Sequence, residues 1–278
     1  MSYSELIRNN FYNVVEVEEY FRKNEELGVG KDKVISVLNE MKDFIIYCEK
    51  DPNNLYFNKD YRQIQQMQYY YFDGIFIYFI GPIFEKDAYD EKKYDLLKLE
   101  KIYYDAYNDG VLSDIAVVWI HDKVKAFAYM LFYEKMASEE KFKAFVKIYK
   151  YSENPGKCIP KEMLLDIMNH VPQDITDKRH QSKIVDKEGY IEVIRGQGSE
   201  STDPKEAMSW TTDLKTAKFF AYRYDNDGYV VKGKVHIDDI IFIFDEEYGE
   251  DYKDPEKEIL IVPGSVKDIK KIKTSKGK

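Results

Sequence analysis

Along the first 170 or so residues, hydrophobic positions recur every three to four residues, which is the pattern of amphipathic helices. The clearest case is residues 32–50, where the apolar side chains fall on one helical face. Glycines precede this stretch, and Asp51-Pro52 ends it. The pattern predicts helices at residues 5–26, 32–50, 60–80, 91–107 and 112–135, a further helix capped by Ser138, and a last one at 160–170.

The pattern changes near Val171-Pro172. Residues 173–188 are polar and charged, so they predict a linker or surface loop. From there on, short β-branched and aromatic runs between turn residues predict strands. The predicted strands are 190–194, 229–235, 239–244 and 258–262, and the one predicted helix is 214–223, capped by Thr212 or Asp213. We therefore expect an α+β fold, with a mainly helical domain of unknown function at 1–172 and a second region at 173–278.

Composition narrows the class of protein. The 278 residues are 44% hydrophobic, close to the globular norm, so a packed core is expected. The formal net charge of −9 argues against a protein that wraps nucleic acid over its whole surface, although a local basic groove is compatible with it. Two cysteines and four scattered histidines exclude a disulfide scaffold and a Cys-based zinc site, so no metal is expected.

The sequence predicts neither a signal peptide nor a membrane-spanning segment. The start of the chain lacks the apolar core of a signal peptide, and the longest apolar run, 69–80, is too short to span a bilayer. We expect a cytoplasmic protein without a membrane partner, or one delivered into a target cell by a dedicated export system. The last twelve residues hold six Lys and one Asp, which predicts a solvated, frayed tail, with a phosphate-contacting tail as the alternative.

Two features before the predicted helix at 214–223 suit binding of a dinucleotide. Arg195-Gly196 ends an apolar strand, so a fork of donors lies beside bare backbone, which fits a diphosphate and a flat ring. On a strand, Ser209 and Thr211 share one face, and Trp210 points to the other. The structural alternatives are a surface Arg with a turn Gly, and local turn formation by the hydroxyl residues.

Two further features follow them. Phe220 and Arg223 lie three residues apart on the predicted helix, where a ring could stack on a ligand and a guanidinium meet a phosphate. Glu256 and Glu258 point the same way if both are on a strand, and such a pair is repulsive. One carboxylate could then face a developing cation while the other takes a proton. The structural alternatives are a core aromatic and a solvated charged edge.

These features occur in the order of a known family. Residues 190–266 resemble the catalytic domain of mono-ADP-ribosyltransferases of the Arg–Ser–Glu type, in the pieces YIEVIRGQG, SWTTDLKTAKFFAYR, GYVVKGKV and EKEILIVPGSV. The resemblance implies an ADP-ribosyltransferase-like β-sandwich core of two packed mixed sheets. The family's Ser-Thr-Ser motif reads Ser-Trp-Thr here. The first 170 residues resemble no family that we identify.

The resemblance also implies a role for each matching residue, with NAD as the substrate. These implied roles are as follows: Arg195 and Arg223 hold the NAD phosphates, the Gly196 backbone meets the nicotinamide amide, Ser209 orients the catalytic glutamate, Thr211 occupies the third position of the hydroxyl motif, Phe220 packs on nicotinamide, Glu258 is the catalytic glutamate, and Glu256 activates the acceptor. Catalysis is thus expected from Arg195, Ser209, Glu256 and Glu258.

The implied activity is transfer of ADP-ribose from NAD to a macromolecular acceptor, with release of nicotinamide. A protein arginine is the first expectation for the acceptor, and nucleic acid is the second. An NAD glycohydrolase and an inactive module that binds NAD or a partner are the alternatives. A bacterial or phage toxin or effector fits this reading, with an antitoxin or immunity partner. The helical part could dock a target, neutralise the catalytic part or complete its core.

Overall fold

Two compact units divide the chain, one from Met1 to Pro155 (unit 1) and one from Gly156 to Lys278 (unit 2). A computed structural model describes residues 11–13, 31–58, 69–80, 86–152, 159–199, 201–223, 227–244 and 256–273. The division falls earlier in the chain than the boundary expected between residues 172 and 173. Helices and two antiparallel sheets are present, so the fold is of mixed α and β type.

Unit 1 contains a four-stranded antiparallel sheet with the strands in sequence order. Its strands are β1 (Phe11–Asn13), β2 (Leu55–Asn58), β3 (Tyr69–Phe72) and β4 (Ile77–Ile80). Its helices are α1 (Lys31–Tyr47), α2 (Tyr89–Asp109), α3 (Ser113–Ala116), α4 (Lys125–Phe132) and α5 (Ser138–Tyr151).

The helix predicted over 60–80 is wrong where the structure describes it, because β3 and β4 form a hairpin there. The Asp73 carboxylate accepts hydrogen bonds from the backbone N–H groups of Ile75 and Phe76, at 3.0 and 2.9 Å, and so closes the turn. All four residues of β3 are buried, so the segment has no alternation of polar and apolar positions. A short apolar run of this kind is ambiguous between helix and strand. Residues 59–68 lie outside the described residues.

Other predictions for unit 1 had mixed outcomes. The helices expected at 32–50 and 91–107 are confirmed as α1 and α2. The one expected at 112–135 is divided into α3 and α4 by a turn region. The helix beginning near Ser138 is α5, but Ala137 is its N-cap and no side chain caps it. The one expected at 5–26 lies outside the described residues, apart from β1.

Unit 2 contains a six-stranded sheet in the order β10-β7-β5-β6-β9-β8, and every described pairing in it is antiparallel. Its strands are β5 (Tyr190–Gln197), β6 (Ser209–Thr211), β7 (Tyr229–His236), β8 (Ile240–Ile243), β9 (Glu258–Ile261) and β10 (Lys267–Ile272). Its helices are α6 (Lys161–Met168), α7 (Gln173–Gln181) and α8 (Leu214–Tyr222).

The sheet of unit 2 differs from the expected pair of packed mixed sheets. Its described strands form one hydrogen-bonded antiparallel sheet, in which β5 and β6 are joined by a single residue pair, Ile194 with Thr211. The short strand β6 limits this contact, because it has only three residues. The sheet therefore consists of two three-stranded halves, β10–β7–β5 and β6–β9–β8, that meet at one point.

Two segments of unit 2 were predicted wrongly. The expected loop at 173–188 begins with helix α7, because Ile175 and Arg179, four residues apart, are both buried on one face. The expected frayed tail begins with strand β10, which pairs with β7. Ile272 at its end packs against the apolar cluster around Val230, and this contact holds the strand in place. In the described part of the chain, no helix has the length and apolarity to cross a bilayer.

Candidate functional site

Arg195 lies near the end of β5, beside the junction with β6, and is half-buried. Its Nη1 donates a hydrogen bond to the backbone carbonyl of Ser209 at 2.6 Å. With the Gln197 amide oriented to satisfy both of its neighbours, the amide oxygen accepts from Arg195 Nε at 2.9 Å and the amide nitrogen donates to the Thr202 carbonyl at 3.2 Å. The guanidinium is therefore fixed in one position by two strands.

Ser209 connects this guanidinium to Glu258. The Ser209 hydroxyl donates a hydrogen bond to Oε1 of Glu258. In the β6–β9 register, Thr211 is opposite Glu258 and Ser209 is opposite Leu260, so Ser209 and Glu258 are diagonal neighbours on one face. The three residues for which the sequence predicted a common site thus lie on adjacent strands and are connected by hydrogen bonds. We call them the Arg–Ser–Glu chain.

Thr211 bonds to backbone groups on two sides. Its hydroxyl donates to the Glu256 carbonyl at 2.8 Å and accepts from the Asp213 N–H at 2.9 Å. The side chain is buried, with 6% of its surface exposed. The hydroxyl therefore connects the start of helix α8 with the segment that leads into β9.

The sequence suggested that Glu256 and Glu258 both lie on a strand, but in the structure only Glu258 does. Strand β9 begins at Glu258, and Lys257 before it has a φ of 47°, in the left-handed region that side chains with a Cβ rarely adopt. The alternation of strand faces therefore stops between Glu256 and Glu258. The Thr211 bond to the Glu256 carbonyl holds the chain at this left-handed residue.

Helix α8 follows β6 directly, and of the two predicted caps Asp213 is the one that forms. Its carboxylate accepts hydrogen bonds from the Thr216 backbone N–H and from the Thr216 hydroxyl, each at 2.8 Å. The backbone bond, followed by the hydroxyl bond and the charge of Lys257, lowers the pKa of Asp213 below its usual value of 3.8, against the opposing effect of its partial burial. The cap fixes where α8 begins relative to Thr211.

Phe220 and Arg223 come together at the end of α8. The guanidinium carbon of Arg223 lies 4.7 Å from the ring centroid of Phe220, at the distance of a cation–π contact. Phe220 is half-buried, whereas the neighbouring Phe219 has 60% of its surface exposed and is not a core residue. The ring and the guanidinium at which the sequence pointed thus form one surface feature.

Gly196 allows α8 to lie directly on β5. A Cβ at this position would be 2.1 Å from the Ala217 carbonyl oxygen and 3.1 Å from the Phe220 carbonyl carbon. The helix backbone occupies the space of a side chain, so Gly196 has a packing reason that is independent of any ligand. The same contact brings the backbone of Phe220 next to the residue that follows Arg195.

Gln197 is a site residue that the sequence analysis missed. It is two positions from Arg195 on β5, so strand alternation puts both side chains on one face. It has only 3% of its surface exposed, which is unusual for a polar side chain. Within the described residues, no three His, Cys, Asp or Glu side chains converge in a way that could hold a metal ion.

The arrangement is suited to stabilising positive charge next to a bound anion. A carboxylate oriented by a hydroxyl can stabilise an oxocarbenium-like sugar, and a fixed guanidinium can bind a diphosphate. Comparisons of the chain with protein-family models, with curated proteins and with solved structures found no match. The functional assignment therefore depends on these residues and their geometry.

Proposed function

We propose that the protein is an NAD-dependent mono-ADP-ribosyltransferase that acts on a macromolecular acceptor, with a protein arginine as the first candidate. The observation that carries the proposal is the Arg–Ser–Glu chain, which connects Arg195, Ser209 and Glu258 across β5, β6 and β9. These residues are far apart in sequence, and they have the three side chains that the reaction requires.

The proposed reaction breaks the bond between nicotinamide nitrogen and ribose C1′. Nicotinamide leaves with the bonding electron pair, so positive charge develops on the sugar, as in glycoside hydrolysis. The Glu258 carboxylate, oriented by the Ser209 hydroxyl, stabilises this charge. The acceptor nitrogen then forms the new bond to C1′ and gives up a proton, for which Glu256 is the proposed base.

Arg195 is proposed to bind the NAD diphosphate. A guanidinium fixed by neighbouring groups loses little conformational entropy when its planar fork meets phosphate oxygens. Phe220 and Arg223 are proposed to contact the nicotinamide ring and a second phosphate, and their mutual contact at 4.7 Å supports a joint role. Holding the diphosphate and the nicotinamide ring leaves one face of the sugar between them for the acceptor.

The architecture of unit 2 also supports the proposal. The two three-stranded halves of its sheet, whose strands β5 and β6 pair through Ile194 and Thr211, are our proposed counterparts of the two sheets of the ADP-ribosyltransferase core. The Arg–Ser–Glu chain crosses this junction, with Arg195 on one half and Glu258 on the other. A narrow junction of this kind leaves a site at which both halves contribute side chains.

The decisive experiment measures nicotinamide release from NAD by the purified chain and by two variants, Glu258→Gln and Glu192→Gln. We expect Glu258→Gln to lower turnover by about 10²–10³-fold, because a preorganised group of this kind is lost. Glu192 is the matched control, since it lies on β5 with 54% of its side chain exposed and pairs with Lys232. Wild-type turnover by Glu258→Gln would falsify the assignment.

Labelled NAD and a cell lysate identify the acceptor in the same assay. Label that protease removes supports the protein acceptor, and label that nuclease removes replaces it with nucleic acid. Free ADP-ribose as the sole product makes the protein an NAD glycohydrolase. Binding of NAD without turnover makes it an inactive module, and either of these two results overturns the transferase proposal.

A further inference from the structure

Four lysines lie on one face of the sheet in unit 2. In the register of β7 and β10, Lys234 is opposite Lys267, and Lys232 is opposite Lys270. Residues directly opposite each other in an antiparallel pair point to the same face, and like charges in such pairs are destabilising. Strand pairing therefore gains nothing from this arrangement.

A bulge in β10 brings the lysines into these pairs. The register shifts between Lys267 and Lys270, and Asp268 within the shift has a φ of 55°, in the left-handed region. Lys267 and Lys270 are three residues apart, so regular alternation would put them on opposite faces. The bulge aligns them with Lys234 and Lys232, which are two residues apart on β7. Bulges that re-aim side chains in this way are often functional.

Helix α8 covers only part of this face. It packs over Val230, which lies opposite Gly196 on β5 and Ile272 on β10. Beyond the helix, the same face has a cavity of about 430 Å³ that is lined by Lys232, Lys234 and Lys270, among others. The lysine rows thus adjoin an open space on the sheet.

Three carboxylates offset part of the charge. Glu192 bonds to Lys232 at 2.8 Å, Asp186 lies 4.0 Å from Lys234, and Asp268 lines the cavity. Four Lys against these three carboxylates still leave the face with a small positive formal charge, in a chain whose formal net charge is −9. The face is therefore locally positive on an otherwise acidic protein, which is the electrostatic condition for local binding of a polyanion.

An aromatic side chain continues the same face. Tyr190 is opposite His236, in the row next to Lys234, and the two ring centroids are 5.1 Å apart. The ammonium of Lys267 lies 5.6 Å from the Tyr190 ring centroid. Proteins that bind single-stranded nucleic acid combine cationic side chains for the backbone with aromatic rings for the bases. An acidic peptide offers no base for such a ring.

The spacing of the lysines fits the same partner. Lysines two residues apart on a strand are separated by about 6.6 Å along its axis. This spacing resembles that of successive phosphates along an extended single strand.

We propose that Lys232, Lys234, Lys267 and Lys270, with Tyr190, form a binding surface for single-stranded nucleic acid, here called the lysine face. Phosphates contact the lysines, and a base stacks at Tyr190. This inference is independent of the proposed NAD reaction, since none of the five residues belongs to the Arg–Ser–Glu chain.

The test uses the full chain and a fluorescein-labelled oligouridylate of about 16 nucleotides, the upper end of site sizes for single-strand-binding folds. Fluorescence anisotropy gives the affinity at salt concentrations from about 50 to 200 mM. The variant Lys267→Gln/Lys270→Gln removes two exposed lysines of the face. Lys178→Gln/Lys205→Gln is the matched control, because it removes the same charge from exposed positions elsewhere in unit 2.

We expect the wild type to bind with a strong salt dependence, and the lysine-face variant to lose about tenfold in affinity at about 0.1 M salt. Its slope of log affinity against log salt should fall by about 1.4, the value for two single-strand phosphate contacts. The control should retain the wild-type slope, and Glu258→Gln should bind as the wild type does. Circular dichroism checks folding, and Lys270→Gln alone replaces the double variant if the latter is unfolded.

Several results would overturn the proposal. They are absence of binding at about 50 mM salt, equal losses in the lysine-face variant and the control, and a duplex of the same length that binds as tightly as the single strand. Equal competition by polyglutamate at the same charge concentration would make the partner an acidic protein. None of these results bears on NAD turnover, so failure here and failure of the proposed function are distinguishable.

Discussion

Polar side chains serve different purposes in the two units. In unit 1, Asp73 closes the β3–β4 turn, and Glu140 accepts hydrogen bonds from the backbone N–H and hydroxyl of Ser113 at the start of α3. In unit 2, Arg195, Ser209 and Glu258 bond to one another across three strands. The bonds of Asp73 and Glu140 thus hold a turn and a helix start, whereas those of unit 2 connect side chains of three different strands.

The two units also differ in the side chains that fill their cores. The core of unit 1 contains many aromatic rings beside its aliphatic residues, and the ring centroid of Tyr103 lies 5.2 Å from that of Phe76 and 5.0 Å from that of Phe132. The buried residues of strands β8 and β9 in unit 2 are mostly Ile and Leu, with Phe242 as the aromatic residue of β8. We therefore expect substitutions in the core of unit 1 to change stability, and substitutions around the Arg–Ser–Glu chain to change activity.

The largest expected effect is in the core of unit 1. Phe132→Ala removes a fully buried ring that packs edge-on against Tyr103 and Tyr107, and should lower the free energy of unfolding by about 3–5 kcal/mol. Tyr94→Ala is the matched control, since 65% of Tyr94 is exposed, and it should change stability by less than about 0.5 kcal/mol.

Urea denaturation followed by tryptophan fluorescence measures this effect. The chain has two Trp, Trp119 in unit 1 and Trp210 in unit 2, so a Trp210→Phe background reports on unit 1. Equal stability of the Phe132 and Tyr94 variants in that background would contradict the account of the aromatic core.

How far the sequence predicted the fold depends on the length of each pattern. Long periodic segments such as α1 and α2 were predicted, because their apolar stripe repeats over several turns. The β3–β4 hairpin was missed, because a run of four buried residues has no period. Strand β10 was missed because its six residues include three Lys, and the contact that holds it, Ile272 with the Val230 cluster, is tertiary.

Only some of the contacts at the candidate site could be predicted from the sequence, and the contact of Ser209 with Glu258 is one of them. The order of Arg195, Ser209 and Glu258 along the chain indicated a common site, and the structure brings them together. The bonds of Thr211 to two backbone groups were not predictable, because they depend on the left-handed turn at Lys257. Gln197 escaped notice because its burial is a property of the folded sheet.

A smaller effect is expected at Thr211, which supports the site without belonging to the Arg–Ser–Glu chain. Thr211→Val keeps the shape of the side chain and removes its hydrogen bonds to Glu256 and Asp213. Because the segment leading into β9 then loses an anchor worth about 1 kcal/mol, we expect kcat for nicotinamide release to fall about fivefold. The KM for NAD should change little, because the proposed phosphate contacts of Arg195 and Arg223 are not altered by this substitution.

The control for Thr211 is Thr211→Ser, which restores the hydroxyl and should recover most of kcat. Recovery by Ser separates the hydrogen bonds from general packing, because Ser lacks the methyl group that Val retains. If Val and Ser lower kcat equally, or if both variants change only the free energy of unfolding, Thr211 is a structural residue and not a positioning residue of the site.

The smallest expected effect is at Asp213. This residue caps helix α8, which begins directly after the site strand β6. Its pKa is lowered by the Thr216 bonds, so its charge contributes stability above pH 3.8 and loses that contribution as the pH falls through the lower pKa of the folded protein. Asp213→Asn keeps a capping acceptor without the charge, so we expect it to cost about 0.3–1 kcal/mol at pH 7. Urea denaturation at several pH values should show this difference disappearing under acid conditions. Asp105→Asn within α2 corrects for removal of one exposed charge, and a difference between wild type and Asp213→Asn that grows on acidification would reverse the expected sign.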